Sequence, residues 1–279
     1  MKSGYPKGSR FFKKGTHMIL EEIKLNHKLG SLSKDLSIKV YKKIDSTNTR
    51  AKLFAESKSN TNAIFIAKEQ TAGRGRLGRT FVSTKGNGLY LSILLNKKLP
   101  PEFATALTTY MAVIASRAIH TVAGVQPKIK WVNDLYLSGK KLAGILTEGK
   151  ASENGESLDY AVVGIGVNLL KQDFPDNVKT IATTLENECQ KQIDPIELAA
   201  HIISDFFENL SLVGTPELAE EYRHRSFLIG ERVNVIKPTS TYSATVNGIT
   251  DKCELMLTLE DGTKEILSTG EVSVRIANS

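Results

Sequence analysis

Three glycines and three arginines share one short stretch, Gly73-Arg74-Gly75-Arg76-Leu77-Gly78-Arg79, directly after Glu69-Gln70-Thr71-Ala72. Glycine lets a backbone take positive φ and approach a ligand closely, and arginine offers a permanently charged fork matched to carboxylate and phosphate oxygens. The stretch reads as a flexible anion-wrapping loop. A basic surface loop with no fixed ligand is the competing reading, and charge alone leaves the two even. The spacing also satisfies G-x-G-x-x-G, the dinucleotide fingerprint, which demands a strand turning straight into a helix. Here Thr80-Phe81-Val82 and Leu89 to Leu95 continue as strand-like sequence. No helix start faces a pyrophosphate, and a nucleotide-binding dehydrogenase is excluded.

Other polar clusters carry chemistry at useful spacings. Asp45-Ser46-Thr47-Asn48 precedes Ala51, Phe54 and Ala55 at helical spacing. It reads as a helix N-cap, and a helix start rich in hydroxyls, an amide and free N–H groups also holds a polar ligand head. The segment Lys128-Ile129-Lys130-Trp131-Val132-Asn133-Asp134-Leu135-Tyr136-Leu137 predicts a strand, a polar turn and a second strand. Asn-Asp is a routine turn pair, yet a lysine beside it can pair a phosphate with a magnesium site. Gly139 to Leu146 has the glycine spacing of a Walker A loop, but Ile145 and Leu146 stand where Lys and Ser/Thr are required, so it is no P-loop. Gly164 and Gly166 interrupt a β-branched strand from Leu158 to Leu170, the mark of a bulge or of a ligand meeting the backbone.

Periodicity supplies the elements that must position these groups. It predicts a short helix from Ile19 to Leu29, strands over 38–44 and 63–68, and an amphipathic helix from Glu102 to Val122 whose Phe103, Leu107, Tyr110, Met111, Ile114, Ala118 and Val122 face the core. Helices follow near 195–210 and 216–225. Beyond Gly230 the pattern changes to strand alternation, and Asp261-Gly262 separates two strands in a strong hairpin signal. The expected domains are a disordered leader or tag over 1–17, a linker helix over 18–37, a catalytic domain over 38–228 and a small β domain over 229–279. A chain of 279 residues is long enough for that arrangement.

Composition narrows the class. The net charge is +7, from 37 basic and 30 acidic residues, but Lys2, Lys7, Arg10, Lys13 and Lys14 all fall in the first 17 positions. The body is nearly balanced, which argues against a nucleic-acid-binding face. No apolar run approaches a membrane span and no signal segment opens the chain, so a cytoplasmic protein is expected. Cys189 and Cys253 are far apart and the histidines are scattered, so neither a disulfide framework nor a structural zinc site is expected.

Taken in order, the blocks Asp45-Ser46-Thr47-Asn48, Gln70 with Gly73 to Arg79, Lys130-Trp131-Val132-Asn133-Asp134, Lys141 to Leu146, and Gly164 to Asn168 resemble the biotin-protein ligases. The resemblance implies an α/β (α+β) fold: a class II aminoacyl-tRNA synthetase-like mixed sheet with flanking helices, followed by an SH3-like β domain. It implies that biotin and Mg-ATP form biotinyl-5′-AMP, which a lysine of a biotin carboxyl carrier protein then attacks. Ser46, Thr47, Asn48, Gln70, Arg74, Gly75, Arg76, Lys141, Gly144, Gly164 and Gly166 would meet biotin. Arg74, Arg76, Arg79, Phe81, Lys130, Asn133, Asp134, Lys141 and Asn168 would meet ATP or the adenylate. Lys141 and Arg76 would be catalytic, and Asp134 would hold Mg²⁺. Val132 and Phe81 depart from the proline and tryptophan that many family members carry. The stretch from Met18 to Asp45 is too short for a complete winged helix, so DNA binding is not expected of this chain; homodimerisation stays open. A lipoate-protein ligase or octanoyltransferase shares the implied fold but matches the glycine-arginine block poorly.

Overall fold

A computed structural model of the chain describes residues 13–57, 60–237, 239–268 and 273–276. The first elements are α1 (Lys13–Leu29), β1 (Leu36–Tyr41), α2 (Thr47–Glu56), β2 (Asn62–Ala67), β3 (Gly88–Leu95) and α3 (Phe103–Ala123). Next come β4 (Lys128–Lys130), β5 (Asp134–Leu137), β6 (Lys140–Ala151), β7 (Leu158–Asn168), α4 (Asp176–Lys179), α5 (Leu185–Cys189), α6 (Pro195–Glu208) and α7 (Pro216–Arg225). The chain continues through β8 (Arg232–Ile236), β9 (Thr241–Ile249), β10 (Leu255–Leu259), β11 (Lys264–Leu267) and β12 (Ser273–Ile276).

The first seven strands form one mixed sheet in the order β1-β2-β3-β7-β6-β5-β4. Only β1 and β2 pair in parallel, and α2 supplies the crossover that a parallel pair needs. Every residue of β3 is buried, consistent with its nearly unbroken apolar sequence and its central place. On one face α1, α3 and α6 cover the sheet, with Leu107, Tyr110, Met111 and Ile114 of α3 wholly inaccessible. Gly124 ends α3 at φ 74°, donating its N–H to His120 O in the left-handed cap that glycine adopts without strain. On the other face lies α2, whose Ala51 packs with Ala63, Phe65, Leu94, Tyr160 and Val162. That face is only partly covered, which leaves room for a cleft.

Strands β8 to β12 make a second, antiparallel sheet in the order β11-β10-β9-β8-β12. The expected Asp261-Gly262 hairpin joins β10 to β11, with Gly262 at φ 86° and Asp261 Oδ1 accepting from Thr263 N at 2.8 Å. This sheet docks on the β4–β5 turn: Trp131 Nε1 donates to Cys253 O at 2.9 Å, and Arg223 of α7 donates to Ile249 O at 3.1 Å and Asp251 Oδ1 at 2.9 Å. Among the described residues no helix is long and apolar enough to cross a membrane.

Beyond shifts of one or two residues at element ends, three elements differ from expectation. The first helix, Lys13–Leu29, takes in the last five residues of the stretch read as a leader. Only Gly15 interrupts the run there, and one glycine costs roughly 1 kcal/mol, too little to stop a helix already in progress. Strand β1 ends at Tyr41, and Ile44 instead makes a lone parallel bridge to Gln70. Residues 140–151 are one long strand, an element that the comparison with a P-loop leaves unassigned.

Trp131→Phe removes the donor to Cys253 O and, at a buried position, also leaves a cavity where the second indole ring packed, so its cost is an upper bound on that of the hydrogen bond. Leaving a buried acceptor unmet costs about 1–3 kcal/mol. The expected outcome is a lower urea midpoint with an unchanged denaturant slope; an unaltered midpoint would show that the link between the two sheets contributes nothing.

Candidate active site

The cleft on the α2 face owes its depth to missing side chains. Strand pairing sets Gly144 of β6 against Gly166 of β7, and Leu146 against Gly164. On the other side of β7, Gly164 faces Ser92 and Gly166 faces Tyr90. A Cβ at Gly164 would run into the Asn48 amide, lying 2.8 Å from its Cγ, and one at Gly166 would run into the Phe81 ring. The glycines bracket the space in which Ser46, Thr47, Asn48, Gln70, Arg74, Phe81 and Leu146 converge.

The start of α2 forms one wall. Ser46 is the N-cap in extended conformation (φ −155°), yet its hydroxyl makes no cap bond, and the hydrogen-bonding capacity of the next two residues is also turned elsewhere. Gln70 Oε1 accepts from Thr47 N at 2.8 Å and Thr47 Oγ1 at 3.1 Å, while Gln70 Nε2 donates to Ser83 Oγ at 2.9 Å. Asn48 accepts from Ser92 Oγ at 2.6 Å and donates to Leu146 O at 3.2 Å and Glu148 Oε2 at 2.9 Å. Ser46, Thr47 and Asn48 are all nearly inaccessible. The cluster starts a helix as its sequence predicts, but its side chains serve the cleft rather than the cap.

The glycine-arginine stretch, expected as a loop, is drawn into a small hairpin. Phe81 N donates to Gly73 O at 3.0 Å, Gly75 N donates to Arg79 O at 2.7 Å, and Arg74 bridges to Thr80. Its tip is a single 3₁₀ turn over Arg76–Gly78, with Leu77 at φ 56° and Gly78 at φ 71°. Strand alternation then separates the arginines. Arg74 reaches Glu148 Oε1 at 3.1 Å, and Arg76 donates to Asn133 Oδ1 at 3.3 Å. Arg79 remains exposed. Burial lowers the Arg76 guanidinium from its ordinary value, opposed by Asp134 and reinforced by Arg79, and it stays charged.

A second polar group adjoins the cleft. Lys141 Nζ meets Asp134 Oδ1 at 2.7 Å, and the same ammonium lies 3.2 Å from where a Cβ on Gly144 would stand. Asn133 braces the turn through its backbone and side chain: Ile145 N donates to Asn133 O and Asn133 Nδ2 donates to Ile145 O, both at 2.9 Å. Lys141 is further fixed by backbone bonds to Ile181 and Thr183, 2.8 and 2.9 Å. Gly144 thus joins the two groups.

Other predicted site residues are placed differently. Lys130 sits over the Tyr136 ring, 5.3 Å from its centroid. Asn168 is buried and donates to Thr183 O at 3.1 Å, so its amide serves the following segment. Phe81, assigned to adenine, lies within the cleft built by Ser46 to Asn48. The described residues hold no group of three or more His, Cys, Asp or Glu side chains that could take a metal ion. Asp134 supplies one carboxylate, its Oδ1 in an ion pair with Lys141 Nζ but without a hydrogen-bond partner; the protein alone makes no cage for Mg²⁺, and one carboxylate beside substrate phosphates is the arrangement that ion usually takes. Sequence reasoning missed Ser83, Ser92 and Glu148. A serine inside the apolar run of β3 was the available signal for Ser92; the other two gave none.

A polar, glycine-floored cleft beside a lysine–aspartate pair and an arginine hairpin, on a mixed α/β sheet with a small β domain, defines an enzyme that holds a polar ligand next to an anion. The chain belongs to the biotin/lipoate A/B protein ligase family, whose model matches residues 40–168, and residues 228–275 match the biotin protein ligase C-terminal domain. It is 32% identical over 268 residues to the bifunctional ligase/repressor BirA of Bacillus spizizenii, covering 94% of this chain and 81% of that protein. It is 30% identical over 240 residues to the biotin--[acetyl-CoA-carboxylase] ligase of Paracoccus denitrificans, covering 82% of this chain and 96% of that one. The biotin protein ligase of Aquifex aeolicus, solved in complex with biotin and ATP, superposes with a TM-score of 0.74 at 29% identity over 86% of this chain and 99% of its own.

Gly164→Ala would force Asn48 away from Ser92 and Leu146. The expected loss is about 1–3 kcal/mol for buried partners left unmet, read from urea denaturation. Gly149→Ala is the milder comparison, since its Cβ would meet the Leu158 side chain at 3.2 Å.

Proposed function

We propose that this protein is an ATP-dependent biotin-protein ligase that forms biotinyl-5′-AMP and transfers biotin to a lysine of a biotin carboxyl carrier protein. The observation that carries the reading is the contiguity at Gly144: the polar cleft lies on one side and the Lys141–Asp134 pair on the other. A head group bound among Ser46, Thr47, Asn48 and Gln70 points its carboxylate tail toward Lys141 and Arg76. Family membership and the likeness to a ligase that binds biotin and ATP support the same reading.

In the first step a biotin carboxylate oxygen attacks the α-phosphorus of ATP and pyrophosphate leaves. ATP is taken as its magnesium salt, the ion travelling with the phosphates. No bond to the protein forms, so positioning and charge stabilisation supply the acceleration. Lys141 neutralises charge growing between carboxylate and phosphate, with Asp134 holding its ammonium in place. Arg76, steadied by Asn133, keeps the adenylate bound. In the second step the neutral amine of the acceptor lysine attacks the acyl carbon. The carbon–oxygen bond to phosphate breaks, AMP leaves with the electron pair, and the amine's surplus proton passes to water.

The reading is tested by biotin-dependent exchange of labelled pyrophosphate into ATP without acceptor protein. Exchange with biotin and none with lipoate is expected; no exchange with either would refute it. Lys141→Ala should lower exchange by roughly two to three orders of magnitude, the usual cost of losing one transition-state donor. Arg76→Gly should release the adenylate and raise nonspecific lysine biotinylation, and an unchanged labelling pattern would remove Arg76 from adenylate retention.

A further inference from the structure

Glu148 lies on β6 two residues beyond Leu146 and therefore on the cleft face of the sheet. Three groups from two other elements converge on its carboxylate. Asn48 Nδ2 of α2 donates to Oε2 at 2.9 Å, Lys52 Nζ of α2 meets Oε1 at 2.8 Å, and the Arg74 guanidinium of the hairpin meets Oε1 at 3.1 Å. The Glu148 side chain is 18% exposed, whereas that of Arg74 is 48% exposed. The buried partner is the anchor and the surface partner is what it holds. Burial pushes the Glu148 carboxyl up, but hydrogen bonds from Lys52 and Asn48 and the charges of Lys52 and Arg74 outweigh it, so the group is held below the usual carboxylate range.

We propose that Glu148 is a positioning residue that ties the arginine hairpin to the start of α2, and that Arg74 acts through this tie rather than by gripping the ligand's anion. The arrangement is complete without any ligand. Asn48 closes the biotin-head wall, Arg74 closes the hairpin, and both are oriented by one carboxylate. A substrate carboxylate that drew Arg74 to itself would leave Glu148 with fewer partners in a half-buried site and loosen Asn48 at the same time. Division of labour avoids that conflict: Arg74 supports, and Arg76, aimed at Asn133 and the Lys141–Asp134 pair, meets the anion. The inference deepens the biotin-ligase reading and rests on it for the activity measurements.

The test is a double-mutant cycle of Arg74→Gln and Glu148→Gln, read by KM for biotin in pyrophosphate exchange and by trypsin cleavage after Arg76 and Arg79 in the ligand-free protein. Each single variant should raise KM about tenfold, as expected for directly coupled contacts, with kcat within about threefold of the parent. Cleavage should quicken in both, and the double variant should be no worse than the worse single one. Multiplying effects, or an Arg74→Gln loss far exceeding that of Glu148→Gln, would place Arg74 on the ligand and overturn the proposal. Glu148→Asp keeps the charge on a shorter arm and should give an intermediate KM. It carries the test if Glu148→Gln folds poorly, and a KM equal to the parent's would count against the tie. Absence of biotin-dependent exchange in the parent protein would refute the ligase reading alone; the cleavage comparison would still decide the tie, and equal rates in parent and variants would sink it.

Discussion

The site depends on the register between β6 and β7. Pairing Gly144 with Gly166 and Leu146 with Gly164 removes side chains at adjacent positions of a sheet that is otherwise filled. The Asn48 amide and the Phe81 ring come down onto the bare backbone there, and the cleft they line lies against it. A shift of one residue would turn these glycines to the α3 face and bring Ile145 and Ile165 into the cleft, since side chains alternate along a strand. Register here is held by burial on both faces and by the long antiparallel run from Ala143 to Ala151. Strand β6 carries Lys141 at its start, before that run, and Glu148 within it, so one strand sets the spacing of both charged groups.

Each cation near the cleft has a protein partner before a ligand is present. Lys141 has Asp134, Arg74 has Glu148, and Arg76 has the Asn133 amide oxygen. Such pairing costs mobility in advance, so less ordering remains to be done when an anion binds. It also grades the cations. Arg74 is tied to a carboxylate, whereas Arg76 lies between the Asn133 amide oxygen and the charge of Asp134.

Much of the architecture was legible because it is local. The α3 stripe, the strand around Gly164 and Gly166, the Asp261-Gly262 hairpin and the change of pattern beyond Gly230 all follow from periodicity or turn chemistry within a few residues. The motif residues were legible as a set, and Ser46 to Asn48, Gln70, Gly144, Gly164 and Gly166 do converge. What sequence did not reveal depends on contacts far apart in the chain. Glu148 lies 74 positions from Arg74 and 100 from Asn48, and only strand order brings them together. Lys130 lies over Tyr136 and the Asn168 amide donates to Thr183 O, contacts that a linear reading does not show.

The small β sheet bears on the chemistry through the β4–β5 turn. Trp131 is held by Cys253 O, and the next residue, Val132, offers its carbonyl to the buried Tyr222 hydroxyl at 3.1 Å. The turn then proceeds directly to Asn133, locked to Ile145, and Asp134, locked to Lys141. Four consecutive residues therefore connect the C-terminal sheet and α7 to Lys141. The Lys141–Asp134 pair is thus braced from two sides, by strand pairing and the Ile181 and Thr183 backbone within the large sheet and by the turn that the C-terminal sheet touches at Trp131. A domain of that size is marginal alone and gains its stability from the surface it covers. The contact that holds the small sheet is also a contact of the turn that carries Asn133 and Asp134.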